Sequence, residues 1–444
     1  MRVAIIGAGP SGLTTCKTLR AAGLSAVCFE AGERVGGQWV LDNSSGMSAA
    51  YRSLRTNTNK SMSRFSDFAF PVEYPEYPSH AQMAEWFESY ARRFGVLDHV
   101  RFRSRVVRAE PHADGFSVET SDGERESFDA LVVACGNLWD EVTPRFPGSF
   151  AGPAFHAKHY RDPNSPHALR DQTVLVVGLG NSGCEIAVEL AEPRLGNRVL
   201  LSARSGQLIL PRAAPGGPTP PHPSDPVPWF FRALPPFARD ALFRALFPRI
   251  LTRITGELRA PESVGLPAAP RDPFLKRSVV NDHVLDAIAN GSIAARPNVR
   301  ELHARAVEFA DGKIEPVDAI IYATGYRFAL PFLSPDLIGC TNPSDLRLYQ
   351  GVAHPRHSRL FFVGIVRALC SIWPLSEQQA RWVAALLCCE FELPSERERE
   401  RRAMPVLRVP LQHCQFRALD LAREAARRGG RARRRVTRSR RARS

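Results

Sequence analysis

Short apolar runs that end on glycine punctuate this chain, and the spacing after each one predicts its architecture. Val3–Ile6 is followed by Gly7, Gly9 and Gly12, then by apolar positions at Leu13, Cys16 and Leu19, whose three-residue steps predict a helix buried on one face. The next run, "SAVCFE", ends on the acid Glu30. The order returns at "TVLVVGLGNSGCEIAVELA", where Gly178, Gly180 and Gly183 divide strand from helix, and "RVLLSARSG" supplies the following strand. Further buried-strand patterns run into glycine turns at "FDALVVACGN" (128–137), "VDAIIYATGY" (317–326) and "RLFFVGI" (359–365). "LSEQQARWVAALLCCEF" reads as an amphipathic helix from near Ser376. Strand, turn and helix alternating in this way predict an α/β chain with parallel sheets.

Both glycine runs have the spacing G-x-G-x-x-G, and each glycine has its own task. The first permits a tight strand-to-helix turn, the second lets the backbone approach a pyrophosphate, and the third lets the helix pack closely. The helix N-terminus, at Pro10 and Ser11 or at Asn181 and Ser182, then faces the phosphates. Glu30 lies 23 positions after Gly7, where a carboxylate accepts hydrogen bonds from ribose hydroxyls. In the second unit the equivalent place, 24 positions after Gly178, is Ser202, with Arg204 close behind. Losing the acid and gaining a guanidinium favours a 2′-phosphate, the other reading of Arg204 being a solvated surface side chain. Two Rossmann-like, dinucleotide-binding domains are therefore expected, for FAD and NADPH, with the NADPH domain (166–315) inserted into a flavin domain built from 1–165 and 316–420. A nicotinamide to deliver a hydride beside a flavin to receive it predicts an oxidoreductase.

Composition narrows this further. Of 444 residues, 44% are hydrophobic and 23% charged, as in ordinary globular proteins. Much of the formal charge of +14 lies between Arg423 and Ser444, where eleven arginines face the single acid Glu424. The remainder is nearly balanced, which argues against a nucleic-acid surface on the folded body. The tail, 421–444, reads as disordered, either without a specific role or in contact with an anionic surface. Nine cysteines form no CxxC pair, so neither a metal centre nor a redox disulfide is expected. No apolar stretch is long enough to span a bilayer, and the opening strand leaves no room for a signal peptide, so the expected location is the cytoplasm.

Taken in order, these motifs resemble the flavin-containing monooxygenases, the class B flavoprotein monooxygenases. Phe150-x-Gly152-x-x-x-His156-x-x-x-Tyr160 matches that family's fingerprint, with Tyr where Baeyer–Villiger enzymes have Trp. "GAGPSGL" (7–13), "GGQW" (36–39), "SLRTN" (53–57), "GLGNSG" (178–183), "ATGY" (323–326) and "EQQARW" (377–382) complete a set extending over about residues 1–400. The resemblance implies NADPH- and O2-dependent insertion of one oxygen atom into a small soft nucleophile, an N- or S-oxygenation through a C4a-hydroperoxyflavin. It implies that Asn57 is catalytic, its amide donating to the peroxide. It further implies that Gly37, Gln38 and Trp39 border the flavin, that Thr324 and Gly325 contact cofactor, and that Gln378 or Arg381 reaches it. His156 is implied to be a hydrogen-bonded hinge and Tyr160 a packing residue, on a linker between the domains. Other readings stay open: Asn57 as a turn residue, Trp39 as core, and, for the whole chain, a ketone monooxygenase, a biosynthetic N-hydroxylase or a dinucleotide-binding protein without catalysis. One departure is Cys135, in "ACG", where the family's first "ATG" has Thr, so a hydroxyl role is lost there.

The segment from about 212 to 273 is proline-rich and then amphipathic, with Phe237, Leu242, Phe243, Leu246 and Phe247 at helical steps and arginines interspersed. Core or lid packing, contact of 229–255 with a membrane surface, and a homodimer contact are all compatible with that pattern, and Pro248 is expected to kink it.

Overall fold

The computed structural model describes residues 1–212, 225, 227–255, 259–272, 274–369, 371–407 and 414–441. Two five-stranded parallel sheets carry the chain, and both follow one plan. In the first, Arg2–Ile6 is central, flanked by Ser25–Phe29 and then Val100–Arg101 on one side, and by Ala130–Val133 and then Leu360–Phe362 on the other. In the second, Thr173–Val177 is central, with Arg198–Ser202 and Ile293–Arg296 on one side and Ala319–Tyr322 and Ala154–His156 on the other. Ala130–Val133 and Ala319–Tyr322 are buried at every position, which is why they read as unbroken apolar runs rather than alternating ones.

The pairing moves the expected boundaries. Ala154–His156 and Ala319–Tyr322 join the second sheet, so that unit takes in residues on both sides of 166–315. An apolar run shows that a strand is buried but not which sheet it enters. The chain passes between the units after Val133 and after Tyr322, and the two crossing segments pair antiparallel, Tyr326 opposite Glu141 and Arg327 opposite Asp140.

The helix Ile372–Leu387 starts four residues earlier than the pattern suggested and shares one hydrophobic cluster with the first helix, Pro10–Ala21, through Trp382, Val383, Leu13 and Cys16. The expected disorder of the tail is corrected for 421–441: Cys414–Arg441 is helical, with Leu421, Glu424 and Arg428 buried, while 442–444 lie outside the described residues. Glu424 fastens this helix to the body: its carboxylate accepts from Tyr349, and also from Arg427 at 2.8 Å and from Arg428 on its own helix.

Within the variable segment, Trp229–Ala233 and Pro236–Thr255 are helical, the second running on through Pro248. Phe243 packs on Phe274 and Phe416, and Arg239, fully buried, donates to Asp420 at 2.8 Å. The segment is thus fastened to the C-terminal helix, and none of its described residues lines the cleft discussed next. The proline-rich stretch 213–224 lies outside the described residues.

Candidate functional site

Both glycine loops open on one cleft of about 720 Å³ at the carboxyl ends of the sheets' central strands, where ligands of such folds bind. Gly7 and Gly178 adopt φ of +101° and +121°, a region that favours glycine. A Cβ on Gly12 would lie 1.8 Å from the Gly7 carbonyl oxygen, and one on Gly183 would lie 2.1 Å from that of Gly178, so the third glycine in each loop is required for packing. The second glycines differ. A Cβ on Gly9 would meet nothing closer than 3.8 Å, and one on Gly180 nothing within 4 Å, because both face the open cleft. Gly9 and Gly180 cap their helices without any side-chain hydrogen bond, leaving first-turn amides for a ligand. The two loops therefore fit two dinucleotide pyrophosphates.

Glu30 lies on the cleft wall, 5% exposed, and accepts from the amides of Ala8 and Gly32, each at 2.8 Å. Burial pushes its carboxyl up from the usual range, and the two amides act against that rise. In the second unit Ser202 is buried and donates to the Pro297 carbonyl at 2.7 Å. Arg204 is exposed beyond it and is not on the cleft wall. Lys276, which sequence reasoning missed, donates to Ser205 Oγ at 2.7 Å and brings a second cation to this segment. Its signal, a basic pair before a short strand, was indistinguishable from a solvated turn.

Pro10, Ser11, Gly37, Gln38, Trp39, Asn57, Asn181, Ser182 and Gly325 all line the cleft, together with Cys135 and Arg277. Asn57 Oδ1 is buried without a hydrogen-bond partner among the described residues, as expected of an acceptor facing a ligand. Trp39 is also core, packing edge-on against Trp373 at 5.5 Å. Burial pushes the Cys135 thiol up to about 12, so it is a neutral wall residue.

Three expected contacts are placed elsewhere. Thr324 donates its hydroxyl to the Val142 carbonyl and ties the two crossing segments together, while only its neighbour Gly325 reaches the wall. Gln378 is off the cleft; the rotation of about 100° per residue in a helix turns Gln379 inward instead, where it accepts from Gly364 N at 2.9 Å and donates to the Gly351 carbonyl at 3.2 Å. Arg381 pairs with Glu377 and Ser66, each at 2.7 Å.

The fingerprint residue Tyr160 and the segment 51–53 meet on one helix of the second unit, and the bonds from 51–53 hold the two units against each other. Tyr160, fully buried, donates to Glu189 at 2.9 Å, and Ser53, from the segment leading to Asn57, donates to the same carboxylate at 2.9 Å. One turn earlier, Glu185 accepts from Tyr51 and Arg212. Burial raises both carboxyls, and the hydrogen bonds from these partners oppose it. A Cβ on Gly152 would lie 2.5 Å from the Asp318 carbonyl oxygen, so that position admits only glycine. His156 is buried on the cleft wall, accepts from Lys158 N at 3.1 Å and has its pKa lowered by burial.

The flavin-binding monooxygenase-like family matches this chain over residues 1–404. The chain belongs to that family. It is a flavin monooxygenase, using FAD and NADPH with O2 and a small-molecule substrate. Similar proteins include the N-oxide-forming dimethylaniline monooxygenase 2 of Macaca mulatta, 34% identical over 414 residues that make up 89% of this chain and 75% of that one. Flavin-containing monooxygenase 1 of Homo sapiens is 33% identical over 409 residues, 88% of this chain and 75% of that one. Among solved structures, S-allyl-L-cysteine S-oxygenase from Allium sativum aligns with TM-score 0.63 at 24% identity, covering 89% of this chain and 79% of that one. Oxidized steroid monooxygenase bound to NADP aligns with TM-score 0.69 at 19% identity, covering 96% and 98%. These two likenesses concern the fold. No helix of the described residues is long and apolar enough to cross a membrane.

Proposed function

We propose that the enzyme oxygenates soft nitrogen or sulfur atoms, and that the cleft described above is where it does so. The observation that carries this reading is the meeting of both open glycine loops and the unpartnered Asn57 oxygen in one cavity. The first loop (Gly7, Gly9, Pro10, Ser11, Gly12) and Glu30 would seat the flavin's adenosine diphosphate, with Gly37, Gln38 and Trp39 beside the ring. The second loop (Gly178 to Gly183) would seat the NADPH pyrophosphate, and Arg204 with Lys276 the 2′-phosphate. FAD, when bound and reduced, supplies the oxygen-activating chemistry. The chain's own residues hold geometry and exclude water: Asn57 hydrogen-bonds at the reacting centre, having no pKa to match, and Tyr51 and Ser53, bonded to Glu185 and Glu189, keep the two loops at working distance. The names of the relatives, an N-oxide-forming enzyme and an S-oxygenase, support nitrogen and sulfur as targets. Product identification from a panel of tertiary amines, thioethers and ketones tests this, expecting N- or S-oxides and overturned by esters alone.

The same reading includes contact of 229–255 with a membrane surface or a second copy of the chain, in a cytoplasmic enzyme. Trp229 and Phe237, 80% and 79% exposed, support it. Flotation with anionic vesicles and light scattering check the two.

A further inference from the structure

A second cavity, of about 750 Å³, lies between the strand pair Arg347–Leu348 and Met404–Pro405, the start of the helix at Pro236 and the C-terminal helix. Its charge is unbalanced. Six arginines line it, against the carboxylates of Asp420 and Glu424. Both acids already have partners: Asp420 accepts from the buried Arg239, and Glu424 from Tyr349, Arg402, Arg427 and Arg428. The other four guanidinia form no ion pair among the described residues. Arg347 donates to the Ala403 carbonyl at 2.6 Å, Arg417 to that of Gln350 at 2.6 Å and Arg423 to that of Arg232, while Arg401 is exposed, with no hydrogen-bond or salt-bridge partner among the described residues. A guanidinium carries five N–H donors and a carbonyl engages one or two, so donors remain directed at the cavity. Leu348, Val366, Met404 and Val406 make the rest of the wall apolar.

We propose that this cavity is an anion site for a ligand carrying several phosphate oxygens on an apolar body, separate from the cofactor cleft. Planar guanidinia bind phosphate with paired hydrogen bonds, and four of them match the charge of a di- or triphosphate better than that of one carboxylate. The volume suits a ligand of nucleotide size. Val366 lines both this cavity and the cofactor cleft, so the two sites share a wall. Burial lowers the pKa of Arg417, and the charges of Asp420 and Asp240 act against that fall. The phosphate groups could belong to a soluble organic polyphosphate or to a lipid headgroup, and the test separates these.

The full-length, FAD-loaded enzyme saturated with NADP⁺, so that the cofactor cleft is blocked, is titrated calorimetrically with inorganic tripolyphosphate and with ATP. It is also titrated with phosphatidylcholine vesicles with and without phosphatidic acid. Arg401→Glu, on an exposed side chain, and Arg417→Gln are compared, with the flavin spectrum and NADPH KM as evidence of intact folding. Saturable binding of a soluble phosphate probe, weakened about tenfold or more by each substitution, supports a soluble ligand. The same weakening seen only with phosphatidic acid vesicles supports a headgroup. Binding that is absent for every probe overturns the proposal, as does binding indifferent to both substitutions, which would assign it to the arginines beyond Gly429.

Discussion

Replacing Gly180 with alanine separates ligand binding from folding at the second glycine loop. Gly180 has φ of −97° and open space where its Cβ would point, so alanine enters without backbone strain. The stability cost is that of alanine for glycine at a helix N-cap, roughly 0.5–1 kcal/mol. The added methyl occupies the place where a pyrophosphate oxygen would approach the first-turn amides. Losing one charge-assisted hydrogen bond costs about 1.5–3 kcal/mol, which is roughly ten- to a hundredfold in affinity. Gly183→Ala is the contrasting perturbation. Its Cβ would lie 2.1 Å from the Gly178 carbonyl oxygen, so the backbone must move, at an overpacking cost of about 1–3 kcal/mol. The assay is anaerobic flavin reduction at increasing NADPH, alongside thermal unfolding. Gly180→Ala is expected to unfold near the parent temperature with its NADPH dissociation constant raised ten- to a hundredfold, whereas Gly183→Ala unfolds earlier. If Gly180→Ala binds NADPH as tightly as the parent, the loop is not the dinucleotide seat.

Three further outcomes are expected. Asn57→Ala retains flavin reduction by NADPH but releases hydrogen peroxide in place of oxygenated product; a collapse of reduction itself would place Asn57 in the other half of the cycle. Arg204→Ala and Lys276→Ala each raise the NADPH KM about tenfold while sparing NADH, and equal losses with both coenzymes would exclude a 2′-phosphate contact. Burial pushes the Glu424 carboxyl up, but hydrogen bonds from Tyr349, Arg428 and Arg427 and the charge of Arg402 outweigh it and bring the pKa to about 2, from 4.5. A depressed carboxyl pKa stabilises the fold above the unfolded value and loses that effect as pH falls through the folded one. It is worth about 3 kcal/mol here at neutral pH. The melting-temperature gap between the parent and Glu424→Gln is therefore expected to be steady above about pH 5, to narrow below it and to close only near about pH 2, and a gap already closed at about pH 4 would contradict it.

The glycine loops were the most readable part of the chain, because a tight turn, an open face and a close helix contact each exclude side chains at fixed spacing. Asn57, Trp39 and Glu30 were readable from their flanking motifs. Gln379 was not, since helical phase is set by what Ile372–Leu387 packs against, and the sequence placed that helix's start four residues late. Glu185 and Glu189 are one helical turn apart, and nothing beside them in the sequence marks a partner. Only the arrival of Tyr51, Ser53 and Tyr160 from elsewhere in the chain makes them a clasp. The same blindness to long-range partners hid the C-terminal helix: its arginines suggested disorder, and the tertiary environment of Glu424 reverses that.

The most direct test of the account is to mix the purified, FAD-reconstituted protein with one equivalent of NADPH in the absence of oxygen and follow the flavin absorbance. A yellow protein is expected to bleach, and to regain its colour with formation of an N- or S-oxide when oxygen and substrate are admitted. A protein that stays colourless after reconstitution, or yellow under NADPH, would contradict it.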